Sequence, residues 1–123
     1  MKLLLDTQVL LWLAQEPSRV RPEAIAAIRR HGAAASLVSL WEIAIKSGAG
    51  RLDVDDDFPA WVRSTGLPLL AIEVAHVWRT RDLAAVHRDP FDRLLVAQAL
   101  EEGMTLVTSD AVLAGYGAPI LAA

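Results

Sequence analysis

Short apolar runs alternate along the chain with longer segments in which apolar residues recur at helical spacing. The short runs predict buried β-strands, and the longer segments predict helices. The predicted strands cover residues 2–5, 33–36, 67–72, 104–107 and 119–121.

Proline, glycine and capping residues delimit the helices between these strands. We expect Ser39 to cap a helix and to form a capping box with Glu42 three residues on. Asp57 and Asp89 each precede a proline-containing first turn, and Gly103 ends the clearest helix. The predicted helices cover residues 9–13, 21–31, 40–46, 57–66, 73–78 and 89–102, with a last short one after Asp110.

The alternation of strands and helices predicts an α/β fold, a three-layer α/β/α sandwich around a central parallel sheet of four or five strands. The length of 123 residues fits a single domain over residues 1–123. In open parallel sheets, functional sites form beyond the carboxyl ends of the strands. The acidic residues at those ends are therefore the first candidates for chemistry.

Four carboxylates fall at such positions. Asp6 directly follows the first strand, and Asp110 follows the fourth after two residues. Glu42 is expected in the first turn of the helix after the second strand, and Asp92 in the first turn of the helix that begins at Asp89. Taken singly, an acid at a helix start is a cap that favours the helix dipole.

Taken together, crowded carboxylates repel one another unless cations neutralise them. Oxygen ligands favour the hard ions Mg²⁺ or Mn²⁺, and metal pairs of this kind suit phosphodiester hydrolysis by an activated water. The sequence shows no phosphate-binding glycine loop and no Ser–His–Asp pattern, and it contains no cysteine.

The amino-acid composition limits the possible cellular location and binding partners of the protein. The lack of cysteine excludes disulfides and fits a reducing cytoplasm, and no run reaches the roughly 20 apolar residues of a membrane span. The net charge of −3 argues against a module that holds nucleic acid by charge alone. The hydrophobic content of 54% is high for a domain of this size, and we expect part of it to lie between the subunits of a homodimer or against a tightly bound partner.

Four segments resemble those of PIN-domain ribonucleases, in the same order and spacing, and among these the VapC toxins of toxin–antitoxin pairs. They are LLLDT at residues 3–7, SLWEIAIK at 39–46, DPFDRLLVAQA at 89–99 and LVTSD at 106–110. The resemblance covers nearly the whole chain.

The resemblance implies a metal-dependent endoribonuclease that cleaves structured RNA, commonly transfer or ribosomal RNA, and a VapB-like antitoxin that covers its acidic cleft. It also implies that Asp6, Glu42, Asp92 and Asp110 hold Mg²⁺ or Mn²⁺, with Asp6 and Asp92 as the most direct ligands. Thr7 and Ser109 match hydroxyl positions beside the site, and Asp89 is an extra acid one helical turn before Asp92.

Other residues leave alternatives open. Lys46 forms either a surface pair with Glu42 or a contact to substrate phosphate, and Arg93 holds either RNA phosphate or a neighbouring acid. His87 is expected to be a loop residue. The four tryptophans, Trp12, Trp41, Trp61 and Trp78, are expected in the core or a dimer interface. An arginine cluster forms either an RNA-binding rim, which we favour, or a solvated face: Arg19, Arg21, Arg29 and Arg30.

Two rival functions remain in view. Aspartyl-phosphate chemistry in a phosphatase commonly wants a second Asp two residues after the first, where this chain has Gln8, and a receiver domain wants an acidic pair at the first strand. The second rival is a non-catalytic module that binds RNA or protein.

Overall fold

The computed structural model describes residues 1–85 and 89–123. Within these residues, five short strands and six α-helices follow one another in the order that the hydrophobic pattern predicts. The strands are β1 (Leu3–Leu5), β2 (Ala35–Ser36), β3 (Leu69–Leu70), β4 (Thr105–Thr108) and β5 (Ile120–Ala122). The helices are α1 (Thr7–Gln15), α2 (Pro22–His31), α3 (Leu37–Gly48), α4 (Phe58–Ser64), α5 (Val74–Arg79) and α6 (Pro90–Glu102).

Every strand pairing in the described part of the chain is parallel. β1, β4 and β5 form one ladder, and β2 and β3 form another. A parallel bridge between Leu4 and Ala34 joins the two, since the Ala34 N–H donates to the Leu3 carbonyl at 2.8 Å and the Leu5 N–H donates to the Ala34 carbonyl at 3.0 Å. The sheet therefore has the order β3-β2-β1-β4-β5, which confirms the predicted parallel α/β fold with five strands.

Side chains along β1 alternate between the two faces of the sheet. Leu3 and Leu5 are buried in one apolar core with Val9, Leu10 and Ala24 of the helices α1 and α2. Leu4 is buried in a second core on the opposite face, which Leu95, Val96 and Ala99 of α6 complete. Two cores on two faces make the three-layer sandwich that the alternation of elements predicts.

The strands are shorter than expected. The predicted strand over residues 67–72 is reduced to Leu69–Leu70, because ladder pairing with β2 is limited to two residues. The last predicted helix is a 3-10 helix, Ala111–Tyr116.

Helix ends follow their local signals in most cases. Gly103 closes α6 in the left-handed conformation with φ of 64°, and its N–H donates to the Ala99 carbonyl. Asp57 precedes α4 as predicted, but its side chain makes no capping hydrogen bond. None of the helices in residues 1–85 and 89–123 has the length and apolar character needed to cross a membrane.

Candidate metal centre

The fold has a topological switch at β1. The chain leaves β1 towards β2 on one side of the sheet, and it returns to the other side to form β4. Crevices beyond the carboxyl ends of strands form at such points. Asp6 follows β1 and Asp110 follows β4, so the two acids lie at the same crevice. Because α6 leads into β4, its first turn, which contains Asp92, lies at this edge of the sheet as well.

Asp6 is the buried centre of this crevice, with 6% of its surface exposed. Its Oδ1 accepts a hydrogen bond from the Thr7 N–H at 2.7 Å, and its Oδ2 accepts from the Thr108 hydroxyl at 2.6 Å. Burial raises the pKa of Asp6, the two hydrogen bonds oppose that rise, and the charges of Glu42 and Asp110 add to it. The surroundings of Asp6 thus disfavour its negative charge, and a cation bound beside it would stabilise that charge.

Glu42 is also buried, and a chain of hydroxyl groups orients it. The Thr7 hydroxyl lies 2.8 Å from Glu42 Oε1 and 2.9 Å from the Ser39 hydroxyl. A carboxylate only accepts hydrogen bonds, so the single proton of Thr7 goes to Glu42 and Ser39 donates to Thr7.

This arrangement corrects the expected capping box. Ser36, not Ser39, caps α3, because its hydroxyl accepts from the Val38 N–H at 3.0 Å. The helix therefore begins earlier than predicted, and Glu42 lies in its second turn. The extra turn directs both Ser39 and Glu42 towards Thr7 at the start of α1.

Lys46 lies one turn after Glu42 on α3. Its Nζ is 2.5 Å from Glu42 Oε2, and the hydrogen bond to Glu42 raises the pKa of Lys46. A third of the Lys46 side chain is exposed, against 7% of the Glu42 side chain. The predicted ion pair between Lys46 and Glu42 is therefore present, and it lies at the wall of the crevice.

Three half-buried acids complete the set. Asp89 caps α6 by accepting from the N–H groups of Phe91 and Asp92, at 2.8 and 3.3 Å. Asp110 accepts from the Val112 N–H at 3.0 Å, while its own N–H donates to the Thr108 hydroxyl. Asp92 lies in the first turn of α6. Asp89 and Asp110 are therefore helix caps, as expected for single acids at helix starts, and they also line the crevice.

These side chains line one cleft of about 420 Å³. Its lining includes all four acids of the predicted quartet: Asp6, Glu42, Asp92 and Asp110. It also includes Thr7, Asp89 and Ser109, which the resemblance places beside the site. Two basic residues, Lys46 and Arg51, complete this part of the lining. Residues from Asp6 to Asp110 thus share one cavity, although they belong to several different elements.

The donors of the cleft are oxygen atoms, which suits hard divalent cations. In the conformations shown, no group of three or more carboxylate or imidazole side chains within the described ranges stands close enough to hold a metal ion. Glu42 is held by Lys46 and Thr7, and Asp89 and Asp110 cap helices. The donor set therefore has the chemistry of a divalent-metal site, and its carboxylates must move closer together to share one ion.

Arg93 makes backbone contacts that the sequence did not predict. Its guanidinium donates to the carbonyl oxygens of Thr80 and Ala84 at 2.9 and 3.0 Å, and it lies over the ring of Tyr116. Arg93 does not belong to the lining of the acidic cleft, because successive residues of a helix point about 100° apart. Its guanidinium thus ties α6 to the backbone of residues 80–84.

The tryptophans divide into two pairs. Trp12 and Trp61 pack against the core, as predicted. Trp41 and Trp78 do not, since 55% and 64% of their surfaces are exposed. His87 lies outside the described residues.

Sequence reasoning overlooked Thr108, Ser39 and Arg51 as parts of the site. Thr108 lies opposite Asp6 because β1 and β4 pair in parallel, with Leu5 aligned to Val107. A register of this kind is not readable from one sequence. Arg51 follows the turn after α3 and carried no signal apart from its position near Lys46.

The structure combines a parallel α/β fold with an acidic cleft at the switch point of its sheet. Comparisons with known proteins identify the family to which this chain belongs. The model of the PIN domain family matches residues 3–118. The chain is also 31% identical over 125 aligned residues to Ribonuclease VapC22 of Mycobacterium tuberculosis, covering 94% of this chain and 92% of that relative. The chain therefore belongs to the PIN domain family, and its resemblance to VapC-type members is confirmed.

Solved structures agree on the fold. One chain of the crystal structure of VapBC2 from Rickettsia felis bound to a DNA fragment from their promoter superposes with a TM-score of 0.77 at 14% identity, over 99% of this chain and 98% of that chain. A chain of DNA-bound VapBC from Salmonella typhimurium has the same TM-score at 17% identity and the same coverage.

Proposed function

We propose that this protein is a divalent-metal-dependent endoribonuclease, the toxin of a VapBC-type pair. The observation that carries the proposal is the convergence of Asp6, Glu42, Asp92 and Asp110 on one cleft at the switch point of a PIN fold. The similarity to Ribonuclease VapC22 supports the choice of RNA as substrate.

Asp6 and Asp92 are the proposed direct ligands of Mg²⁺ or Mn²⁺, and Glu42 and Asp110 bind directly or through water. Asp6 has its orientation fixed by Thr7 and Thr108, and Glu42 by Thr7. A bound divalent ion lowers the pKa of a coordinated water and neutralises charge on the phosphate. Asp89 and Ser109 line the cleft beside these ligands and assist in orienting water or substrate.

Substrate binding needs positive charge, because the chain is acidic overall and RNA is a polyanion. Lys46 and Arg51 supply it on one wall of the cleft. They are proposed to contact backbone phosphates on either side of the scissile bond, in structured RNA of the transfer or ribosomal kind.

The central experiment incubates the purified protein with total transfer RNA and with ribosomal RNA in Mg²⁺, in Mn²⁺ and in EDTA. We expect cleavage with either metal, none in EDTA, and none by Asp6→Asn, whose folding is checked by circular dichroism. Cleavage that continues in EDTA, or in folded Asp6→Asn, contradicts the metal-dependent mechanism. RNA binding without cleavage under every condition favours a non-catalytic module.

The proposed partner is a VapB-like antitoxin, which the similarity to chains of VapBC complexes supports. The toxin role predicts growth arrest on induced expression and rescue by the product of the adjacent gene. Asp6→Asn is the matched control, since it removes a proposed metal ligand with almost no change in side-chain size and should not arrest growth. Arrest by Asp6→Asn would separate toxicity from cleavage and contradict the proposal.

A further inference from the structure

The ammonium group of Lys46 is a positive charge bound directly to one of the acids of the cleft. Its Nζ lies 2.5 Å from Glu42 Oε2, and the other carboxylate oxygen, Oε1, accepts from Thr7 at 2.8 Å. Both oxygens of Glu42 are therefore engaged by groups of the chain itself. Glu42 is buried, so its charge depends on these partners for compensation.

Each oxygen of Glu42 keeps a lone pair that an ion can use, but an ion bound there would lie beside the Lys46 ammonium group, and the two positive charges would repel each other. One of the present partners of Glu42 is therefore expected to give way. Thr7 is buried at the first position of α1 and its backbone N–H is already bound to Asp6, so its position is fixed by the fold. Lys46 has a flexible four-carbon side chain, and a third of it is exposed. Of the two partners, Lys46 is the one that can leave without disturbing the backbone.

We propose that Lys46 is the resident counter-ion of the metal-free cleft, and that a divalent cation takes its place at Glu42. This proposal rests on the proposed function, because it concerns how the same cleft takes up its metal. In this scheme Lys46 is a positioning residue, which keeps the site compact and charge-compensated until metal arrives.

The chain offers an unusually direct test, because it contains two lysines, Lys2 and Lys46. Lysine labelled with carbon-13 at the ε position gives two signals, which Lys46→Met assigns. Lys2 precedes β1 at the amino edge of the sheet, opposite the cleft, and acts as an internal reference.

We expect the Lys46 signal to shift on titration with MgCl₂, with the same midpoint as calorimetric Mg²⁺ binding, while the Lys2 signal stays in place. Mg²⁺ binding that leaves the Lys46 signal unmoved overturns the displacement and leaves the proposed function intact. If Mg²⁺ does not bind at all, both proposals fail.

Matched variants separate displacement from simple charge repulsion. Lys46→Met and Arg51→Met each remove one positive charge from the same cleft, but Arg51 has no hydrogen bond to Glu42 among the described contacts. We expect Lys46→Met to bind Mg²⁺ about three- to tenfold more tightly than the unmodified protein, and Arg51→Met to gain less. The rise in melting temperature on adding Mg²⁺ should also be largest for Lys46→Met. Equal gains in Mg²⁺ affinity in the two variants would mean that each change acts only through the total charge of the cleft. That result would overturn the proposal.

Discussion

The hydroxyl of Thr108 donates a 2.6 Å hydrogen bond to Oδ2 of Asp6, across 102 positions of sequence and from the neighbouring strand of the sheet. The same hydroxyl oxygen accepts the N–H of Asp110. One side chain therefore ties together the two acids that follow β1 and β4. Because both groups are attached to paired strands, their relative position is set by the rigid part of the fold.

Replacing Thr108 by valine keeps the shape of the side chain and removes this link. A hydrogen bond to a charged group contributes about 1.5–3 kcal/mol. We therefore expect Thr108→Val to lose roughly ten- to a hundredfold in kcat/KM for RNA cleavage. The hydrogen bond from Thr108 lowers the pKa of Asp6, so the variant should also need a higher pH to reach its maximal rate.

Thr105→Val is the control for this change, because Thr105 lies at the opposite end of the same strand, away from the cleft. It should retain the rate and pH dependence of the unmodified protein. A Thr108→Val variant with unaltered kinetics would show that the backbone alone positions Asp6.

Asp6→Asn should stabilise the metal-free protein while it abolishes cleavage. Burial raises the pKa of Asp6, so the folded state favours its neutral form. The stability contributed by neutral Asp6 is present below the ordinary carboxyl pKa and is lost as pH rises through the raised pKa. Asparagine stays neutral, and we expect a melting temperature higher by about 3 °C in EDTA at pH 8.

This gain should shrink as the pH is lowered, because Asp6 then becomes neutral by protonation. Asp53→Asn, at an exposed position, provides the comparison and should leave the melting temperature unchanged. A destabilised Asp6→Asn protein at high pH in EDTA would contradict the view that the cleft disfavours its own charge.

Thr7 is predicted to act through its hydroxyl. Thr7→Val removes the donor to Glu42 and leaves a buried carboxylate oxygen without that partner. We expect a loss of about 1–3 kcal/mol in the free energy of unfolding, measured with urea, and slower cleavage. Thr7→Ser retains the hydroxyl and should keep both properties close to those of the unmodified protein. A Thr7→Ser variant as damaged as Thr7→Val would show that the hydroxyl alone does not account for the role of Thr7 and would contradict this prediction.

The expected homodimer stays a prediction, and the exposed side chains indicate where to test it. Trp41 and Val77 line one groove beside Phe91, and 55% and 51% of their surfaces are exposed. If this groove is the dimer contact, Trp41→Ser and Val77→Ser should halve the mass measured by light scattering at micromolar concentration. Val112→Ser changes an equally exposed valine elsewhere and should not. A dimer that persists in both groove variants would place the contact on another face.

Local signals in the sequence determined the elements and the identity of the acids. Leu3–Leu5 is uniformly apolar because a central parallel strand is buried on both faces, and that run marks Asp6 as its end. Pro90 and Gly103 delimit α6 through the fixed φ of proline and the left-handed conformation that glycine tolerates. These constraints act within a few residues, so one sequence displays them.

Relations between distant residues were decided by the tertiary structure. The pairing of β1 with β4 brings Thr108 to Asp6, and packing of α3 against α1 brings Ser39 and Glu42 to Thr7. Arg93, one residue after Asp92, turns away from the cleft to bind backbone carbonyls. Such contacts depend on strand register and helix rotation, which are set by how whole elements pack and not by the residues beside each position.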